Sequence, residues 1–423
     1  MSEAWTGKGI DRVDGRLKVT GKATYAAEVA VANAAHAVIV GSTVGRGRVT
    51  SIDAAAAEKA PGVLAVLTHL NAPRLPGAKT RSSPVSRTLQ LLQDDEVHYS
   101  DQPVALVVAD TLERARLAAA LVVVRYESST PVTDPLAVEG QAYAPAKMND
   151  KGADLTRGDV DRALATAKAR VLQTYTTPIE HHHPMEMHAT TAVWQGDDRL
   201  TVYDSTQGVF EVRRRLAEVF GLPKEQVRVL SPYIGGGFGS KGSAWSHVAL
   251  AALAARVVRR GVRLMVSRPH MFSLVGHRPQ TVQKMALGAD AEGKLVALRQ
   301  ESLNPTSRLD EFVEPTTRAT RILYACPNLH TSQRLVQLDI PTPTFTRAPG
   351  EASGSFGVES ALDELAWALK LDPVELRLRN HADRDPENDR PWGSKSLREC
   401  YRAGAERFGW SKRPDRVRAT RDG

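Results

Sequence analysis

The sequence predicts a mixed protein of α+β or α/β class with more than one domain. Two observations point there. From Ala35 to about Tyr126, apolar β-type runs ("AHAVIVGSTV", "GVLAVLTHL", "PVALVVAD", "LVVVRYE") alternate with short helical ones ("SIDAAAAEKA", "TLERARLAAA"), the pattern of a compact unit of helices on a sheet. Farther on a second series of helices and strands begins with "DLTRGDVDRALATAKARVLQTYTTPI", a helix and a strand, and 423 residues at 42% hydrophobic content suffice for two or three cores. The first unit is expected over residues 15–126. In the stretch "STPVTDPLAVEGQAYAPAKMNDKGAD" periodicity is lost and Pro, Gly and Asp accumulate. Residues 127–165 therefore read as a linker.

Within the first unit, the helix after Thr111 carries Leu112, Ala115, Ala118 and Ala119 on one face with charges opposite, as a helix covering a sheet should. In the second unit, "RLTVYDSTQ" is a strand ending in a polar turn. "GVFEVRRRLAEVFGLP" places Val209, Val212, Leu216 and Val219 at helical spacing and closes on Gly221 and Pro223. The strand "QVRVLSPYI" then runs into "GGGFGSKG". Behind that loop, "SAWSHVALAALAARVVRRG" is a buried helix stopped by Gly261.

Composition removes several function classes. There are 56 Lys+Arg against 48 Asp+Glu, but five of the net +8 charges come from Ser394 onward, so no basic stripe with interleaved aromatics marks a nucleic-acid face. Two cysteines, Cys326 and Cys400, cannot supply the four thiolates of an iron-sulfur cluster. The longest apolar stretch, Val248 to Val258, is too short to span a bilayer, and the N-terminus has no signal-peptide core. The expectation is a cytoplasmic protein, periplasmic only if a signal-bearing partner carries it.

Three explanations compete for the glycine loop. A Walker-type loop fails, because Ser240 precedes Lys241 where a glycine is required. A dinucleotide fingerprint matches at Gly237, Gly239 and Gly242, yet no Asp or Glu follows until Asp290 to hold a ribose; Arg268 could meet a ribose phosphate instead. The third is a loop whose backbone lies against a bulky, flat, anionic cofactor, with Phe238 packed beside it. The cluster "EHHHPMEMH" offers HxxExH at His183, Glu186 and His188, not a zinc spacing, and Pro184 interrupts any helix that would align them.

"IGGGFGSK" resembles the glycine loop of the molybdenum-binding large subunit of the xanthine dehydrogenase and aldehyde oxidase family. "DRVDGRLKVTGKATYAAEV", "YDSTQGVFEVRRRLAEVFGLP", "RAPGEASGSFGVESALDELAWALKLDPVELRLRN" and "GWSKRPDRVRATRDG" are similar to other family segments, in family order. The resemblance covers essentially the whole chain and is greatest to bacterial aldehyde-oxidising members carrying molybdopterin cytosine dinucleotide. It implies a hammerhead-like α/β domain over 15–126, a first molybdopterin-binding domain over 166–390, and the start of a second over 391–423.

The same resemblance implies roles, and for "EHHHPMEMH", whose Pro-Met-Glu is similar to a family stretch near the cofactor domain, it implies a structural role or one supporting the residues that touch the cofactor. Gln207 would hydrogen-bond an oxo ligand of molybdenum, and Gly208 would admit the cofactor. Gly237, Phe238 and Gly239 would line it, and the metal would be held through the pterin with no direct protein ligand. Arg347 would bind and polarise an aldehyde substrate; a guanidinium beside the glycine-rich opening of a helix suits a developing oxyanion. Pro349, where purine-oxidising relatives have phenylalanine, disfavours xanthine, and Ala348, where carbon monoxide dehydrogenases have cysteine, excludes that activity. Electrons would leave through an iron-sulfur ([2Fe-2S]) subunit and an FAD subunit. The proton-accepting glutamate lies in a part of relatives beyond Gly423, and Glu351, Glu359 and Glu364 do not match it. A second chain would then have to supply the second molybdopterin-binding domain. The alternatives are a non-catalytic remnant that binds cofactor or partners, and the dinucleotide-binding reading of residues 237–242.

Overall fold

A computed structural model of the chain describes residues 7–80, 83, 85–148 and 151–413. Residues 414–423, the end of the last family-like segment, lie outside the described residues. The strand Pro103–Ala109 is buried at all seven positions, which is why its sequence is a continuous apolar run rather than an alternation. The helix Leu112–Ala119 seats Ala115 and Ala118 on one side of this layer, and Thr111 caps it by accepting from Arg114 N–H. On the other side lies the helix Ser246–Val258, buried from Ser246 through Ala255. That helix ends earlier than expected from Gly261. Arg259 takes the left-handed conformation at φ 51°, and Gly261 is used instead for close packing against Val31.

The sheet through Pro103–Ala109 has seven strands, and it crosses the domain boundary expected at 126. Its order is Val227–Leu230, Arg199–Asp204, Ala189–Gln195, Val262–Met265, Ala35–Gly41, Pro103–Ala109, Val63–Thr68. The join is a parallel pairing of Ala35–Ala37 with Val262–Leu264. A local periodicity scan cannot detect it, because each strand looks complete by itself. One core therefore holds Leu106 and Val108 together with Val202, Leu216, Leu250 and Leu264.

The second sheet has five strands, in the order Leu155–Arg157, Leu329–Leu338, Leu295–Ser307, Thr281–Ala289, Ala169–Thr177. The linker expected over 127–165 is corrected here. Tyr143 bridges Leu335, Leu155–Arg157 pairs with Leu329–Thr331, and the helix Val160–Thr166 packs Val160 and Leu164 against Ala286 and Ala297. The bridge at Tyr143 and the strand Leu155–Arg157 are too short to carry a visible period, whereas the helix, capped by Asp159 accepting from Arg162 N–H, is the one expected in "DRALATAKA" and falls largely inside the linker bounds. Across this sheet lies the helix Glu351–Leu369, with Val358, Ala361, Leu362 and Leu365 in its core and Leu369 partly buried at its end. Among the described residues no helix is long and apolar enough to cross a membrane.

Two substitution tests follow from this packing. Leu250→Ala should lower unfolding free energy by about 3 kcal/mol, since a fully buried leucine leaves a cavity its neighbours cannot fill; denaturant titration reads it. Glycines in two helices should respond with opposite sign. A Cβ at Gly354 would collide with the Thr316 carbonyl oxygen, so Gly354→Ala should cost about 1–3 kcal/mol, whereas Gly404 faces open space and Gly404→Ala should raise stability by up to about 1 kcal/mol.

Candidate functional site

Three chain segments meet at one surface. The first is the end of the strand Arg199–Asp204. Thr206 Oγ1 donates to the Lys241 carbonyl at 3.0 Å and accepts from Gly208 N–H at 3.0 Å, so the chain turns sharply outward. Gln207 N–H donates to the same Lys241 carbonyl at 2.8 Å, which projects its side chain over the glycine loop. There Gln207 Oε1 accepts from Gly239 N–H at 3.0 Å, and its amide nitrogen has no partner among the described residues.

The second segment is the loop itself. Gly237 approaches Gln207 so closely that a Cβ there would stand 2.5 Å from Oε1. Gly239 has φ 109°, and a Cβ on it would run into the Phe345 carbonyl oxygen; only glycine serves here. Phe238, also at positive φ (53°), turns its ring outward and is 45% exposed.

Beneath the loop, Lys241 is turned away from any ligand. Its buried ammonium donates to Glu186 Oε2 at 2.8 Å and to the Glu186 carbonyl at 3.0 Å, and the same Oε2 accepts Gly235 N–H at 2.7 Å. Burial pushes the Lys241 ammonium below its usual range, opposed by Glu186. Asp204 lies close enough to feel the Lys241 charge; burial raises its carboxyl to about 7, against the pull of its hydrogen bond from Thr190 and of Lys241. Burial and the Lys241 charge likewise hold His247 down to about 3 and His188 well below its ordinary value, so both are neutral.

The third segment, 345–350, leads into the helix Glu351–Leu369. Arg347 N–H donates to the Phe238 carbonyl at 2.9 Å, tying this segment to the glycine loop. The Arg347 side chain is exposed, and its guanidinium makes no hydrogen bond or ion pair with any described residue. Gln207, Gly208, Gly237, Phe238, Gly239 and Arg347 thus form one continuous patch.

Other candidates are placed elsewhere. Glu359 is bonded to the Tyr324 hydroxyl and Arg377, Glu364 to the Tyr175 hydroxyl, and Glu351 faces Arg318 at 3.8 Å. Arg268 donates to the carbonyls of Pro184 and Met185 at 2.8 and 3.1 Å, so it is not presented to a ribose phosphate. A short 3-10 turn, Ser240–Gly242, intervenes before the helix at Ser246, so the glycine triplet does not open a helix as a dinucleotide fingerprint must. Among the described residues no group of three or more His, Cys, Asp or Glu side chains is placed to hold a metal ion. The sequence singled out Glu186 only as part of a histidine-rich run; its pairing with a lysine 55 positions on could not be read from either segment alone.

A flat, polyanionic group fits this patch. The glycine backbone lies open, an aromatic ring stands beside it, and one amide N–H₂ and one guanidinium are left without partners, the donors such a group requires.

The comparisons with known proteins agree with that geometry. Residues 141–381 match the Molybdopterin cofactor-binding domain family, and residues 20–130 match the Aldehyde oxidase and xanthine dehydrogenase, a/b hammerhead domain. The aldehyde oxidoreductase molybdenum-binding subunit PaoC of Escherichia coli (strain K12) is 42% identical over 422 residues, covering 99% of this chain and 56% of that protein. The putative xanthine dehydrogenase molybdenum-binding subunit XdhA of the same organism is 30% identical, over 95% of this chain and 56% of its own length. Among solved structures, the aldehyde oxidoreductase from Desulfovibrio gigas superposes with a TM-score of 0.82 at 25% identity, over 95% of this chain and 46% of that one. The chain thus spans about half the length of the curated relatives it matches. With a hammerhead domain followed by a molybdopterin cofactor-binding domain, the chain belongs to the molybdopterin-binding subunit family of xanthine dehydrogenases and aldehyde oxidases.

Proposed function

We propose that this chain forms one wall of the active site of a molybdenum hydroxylase that oxidises aldehydes to carboxylic acids with water as the oxygen source. The observation that carries the reading is the double tie of Gln207 Oε1 to Gly239 N–H and Phe238 carbonyl to Arg347 N–H, which sets an unpartnered amide and an unpartnered guanidinium over one glycine backbone. The molybdopterin cofactor, in its cytosine dinucleotide form, supplies the two-electron oxygen-transfer chemistry when bound. Gln207 would hold it through the free amide nitrogen, with Gly208, Gly237, Phe238 and Gly239 against its face. Arg347 would bind the aldehyde oxygen and stabilise the negative charge that grows there as the carbonyl carbon is attacked.

Among the described residues, the carboxylate beneath the loop, Glu186, commits one oxygen to Lys241 and Gly235 and has the other buried away from solvent, so it is not presented to a substrate. The proton acceptor would therefore come from the part of the relatives this chain does not span, as a continuation or as a separate chain. Electrons would pass on to iron-sulfur and FAD subunits. The first test is co-expression with a polypeptide equivalent to that remaining part, with molybdenum, cytidine nucleotide and aldehyde-dependent dye reduction measured. The reading expects all three; metal-free protein with and without the second polypeptide would leave a non-catalytic binding module in its place.

Two variants separate the roles. Arg347→Ala should lower kcat/KM for aldehydes by about 10²–10³-fold while molybdenum content stays unchanged. Lys241→Met should do the opposite: cofactor content falls and the protein loses about 3–5 kcal/mol, because Glu186 is left as an uncompensated buried charge. Metal analysis beside thermal unfolding distinguishes the two.

A further inference from the structure

The segment that presents Arg347 is strained. Ala348 sits at φ 57° and Gly350 at φ 81°, and a non-glycine residue in that region persists only where its surroundings hold it. What holds it is Arg278, whose side chain is 4% exposed. Its Nη2 donates to three successive carbonyls, those of Arg347 at 2.6 Å, Thr346 at 3.1 Å and Ala348 at 3.4 Å. Nη1 pairs with Glu180, and Nε faces Glu314 Oε1 at 3.3 Å. Glu314 is fully buried, and its Oε1 accepts Gly350 N–H at 2.8 Å and the Ser353 hydroxyl at 3.0 Å, which fixes the first turn of the helix after Arg347. From the remaining side, His182 Nε2 meets the Phe345 carbonyl at 2.7 Å and Thr346 Oγ1 at 2.9 Å.

A buried guanidinium is costly, and a buried carboxylate more so unless paired. Neither Arg278 nor Glu314 faces the patch, so neither is explained by contact with substrate or cofactor. Together they grip the backbone on both sides of Arg347: one takes the carbonyls of residues 346–348, the other the N–H of residue 350. With those groups turned inward, the Arg347 N–H is left pointing at Phe238 and its side chain outward.

We propose that Arg278 and Glu314 are a positioning pair that presets Arg347 against the glycine loop. The pair acts on substrate binding through Arg347 alone, and this inference rests on the reading of Arg347 as the substrate-binding cation. Lysine cannot replace Arg278, because a single ammonium cannot reach three carbonyls and two carboxylates from one planar fork.

The test uses hydrogen exchange read by mass spectrometry on the chain as it is, which needs no cofactor and no substrate. In Arg278→Lys, exchange across 345–353 should rise at least tenfold while the core helix 246–258 stays protected. Glu314→Gln keeps an acceptor for Gly350 and removes the charge; it should give a smaller rise in the same segment and stands in if the Arg278 variant fails to fold. In the co-expressed enzyme, both variants should raise KM for aldehydes several-fold more than they lower kcat, with molybdenum content unchanged. Unchanged exchange at 345–353, or a rise spread evenly over the chain, would overturn the proposal. Failure of Arg347→Ala to affect kcat/KM would remove the substrate reading while leaving the exchange result standing.

Discussion

A single buried ion pair, Lys241 with Glu186, underlies the arrangement of the patch. Glycines have no side chains with which to anchor themselves, so a loop carrying Gly235, Gly236, Gly237 and Gly239 needs a fixed point from outside. Glu186 provides it by holding a lysine ammonium and a loop N–H on one carboxylate oxygen. The lysine passes the constraint on, because its carbonyl receives both the Gln207 N–H and the Thr206 hydroxyl. A largely buried interaction thereby fixes the direction of a side chain on the surface. Replacing the loop by a better-packed hydrophobic turn would gain stability and lose the open backbone on which the patch is built.

The neighbourhood of this pair is unusually polar for a protein interior. Asp204, His188 and His247 surround it, and burial drives all three toward their neutral forms. Charge near the loop is thus concentrated in the pair of Lys241 with Glu186. The neutral histidines add bulk and dipoles without adding net charge, so the positive charge that the patch presents outward is that of Arg347 and not of the interior.

Much of this was legible in the sequence, unevenly. The elements with strong local patterns appear where expected: the helix Val209–Phe220 closes on Gly221 at φ 67°, and the strand Pro103–Ala109 is as buried as its unbroken apolar run implies. The residues Gln207, Phe238 and Arg347 could be singled out, and they do meet. What periodicity could not supply was anything depending on pairing across long separations. The seven-stranded sheet spans the boundary expected at residue 126, and short elements such as Leu155–Arg157 sit inside the expected linker. The partner of Glu186, named only within a histidine-rich run, and the role of Arg278 were missed for a related reason. A glutamate after Pro-Met and an arginine in "GHRPQ" carry no local signal; their roles exist only once the carbonyls and amides they bind have been brought to them.

The pairing of Ala35–Ala37 with Val262–Leu264 also bears on timing during synthesis. More than two hundred residues separate these strands, so the sheet behind the patch cannot close until most of the chain has left the ribosome. Contacts of such sequence separation form slowly. Arg347 emerges later still, and its segment must dock against a glycine loop already in place. A nascent chain therefore exposes the Gln207 side of the patch before the Arg347 side exists, and any cofactor delivered during translation would meet an unfinished wall. Insertion after the Arg347 segment has emerged and docked is the order of events that this topology favours.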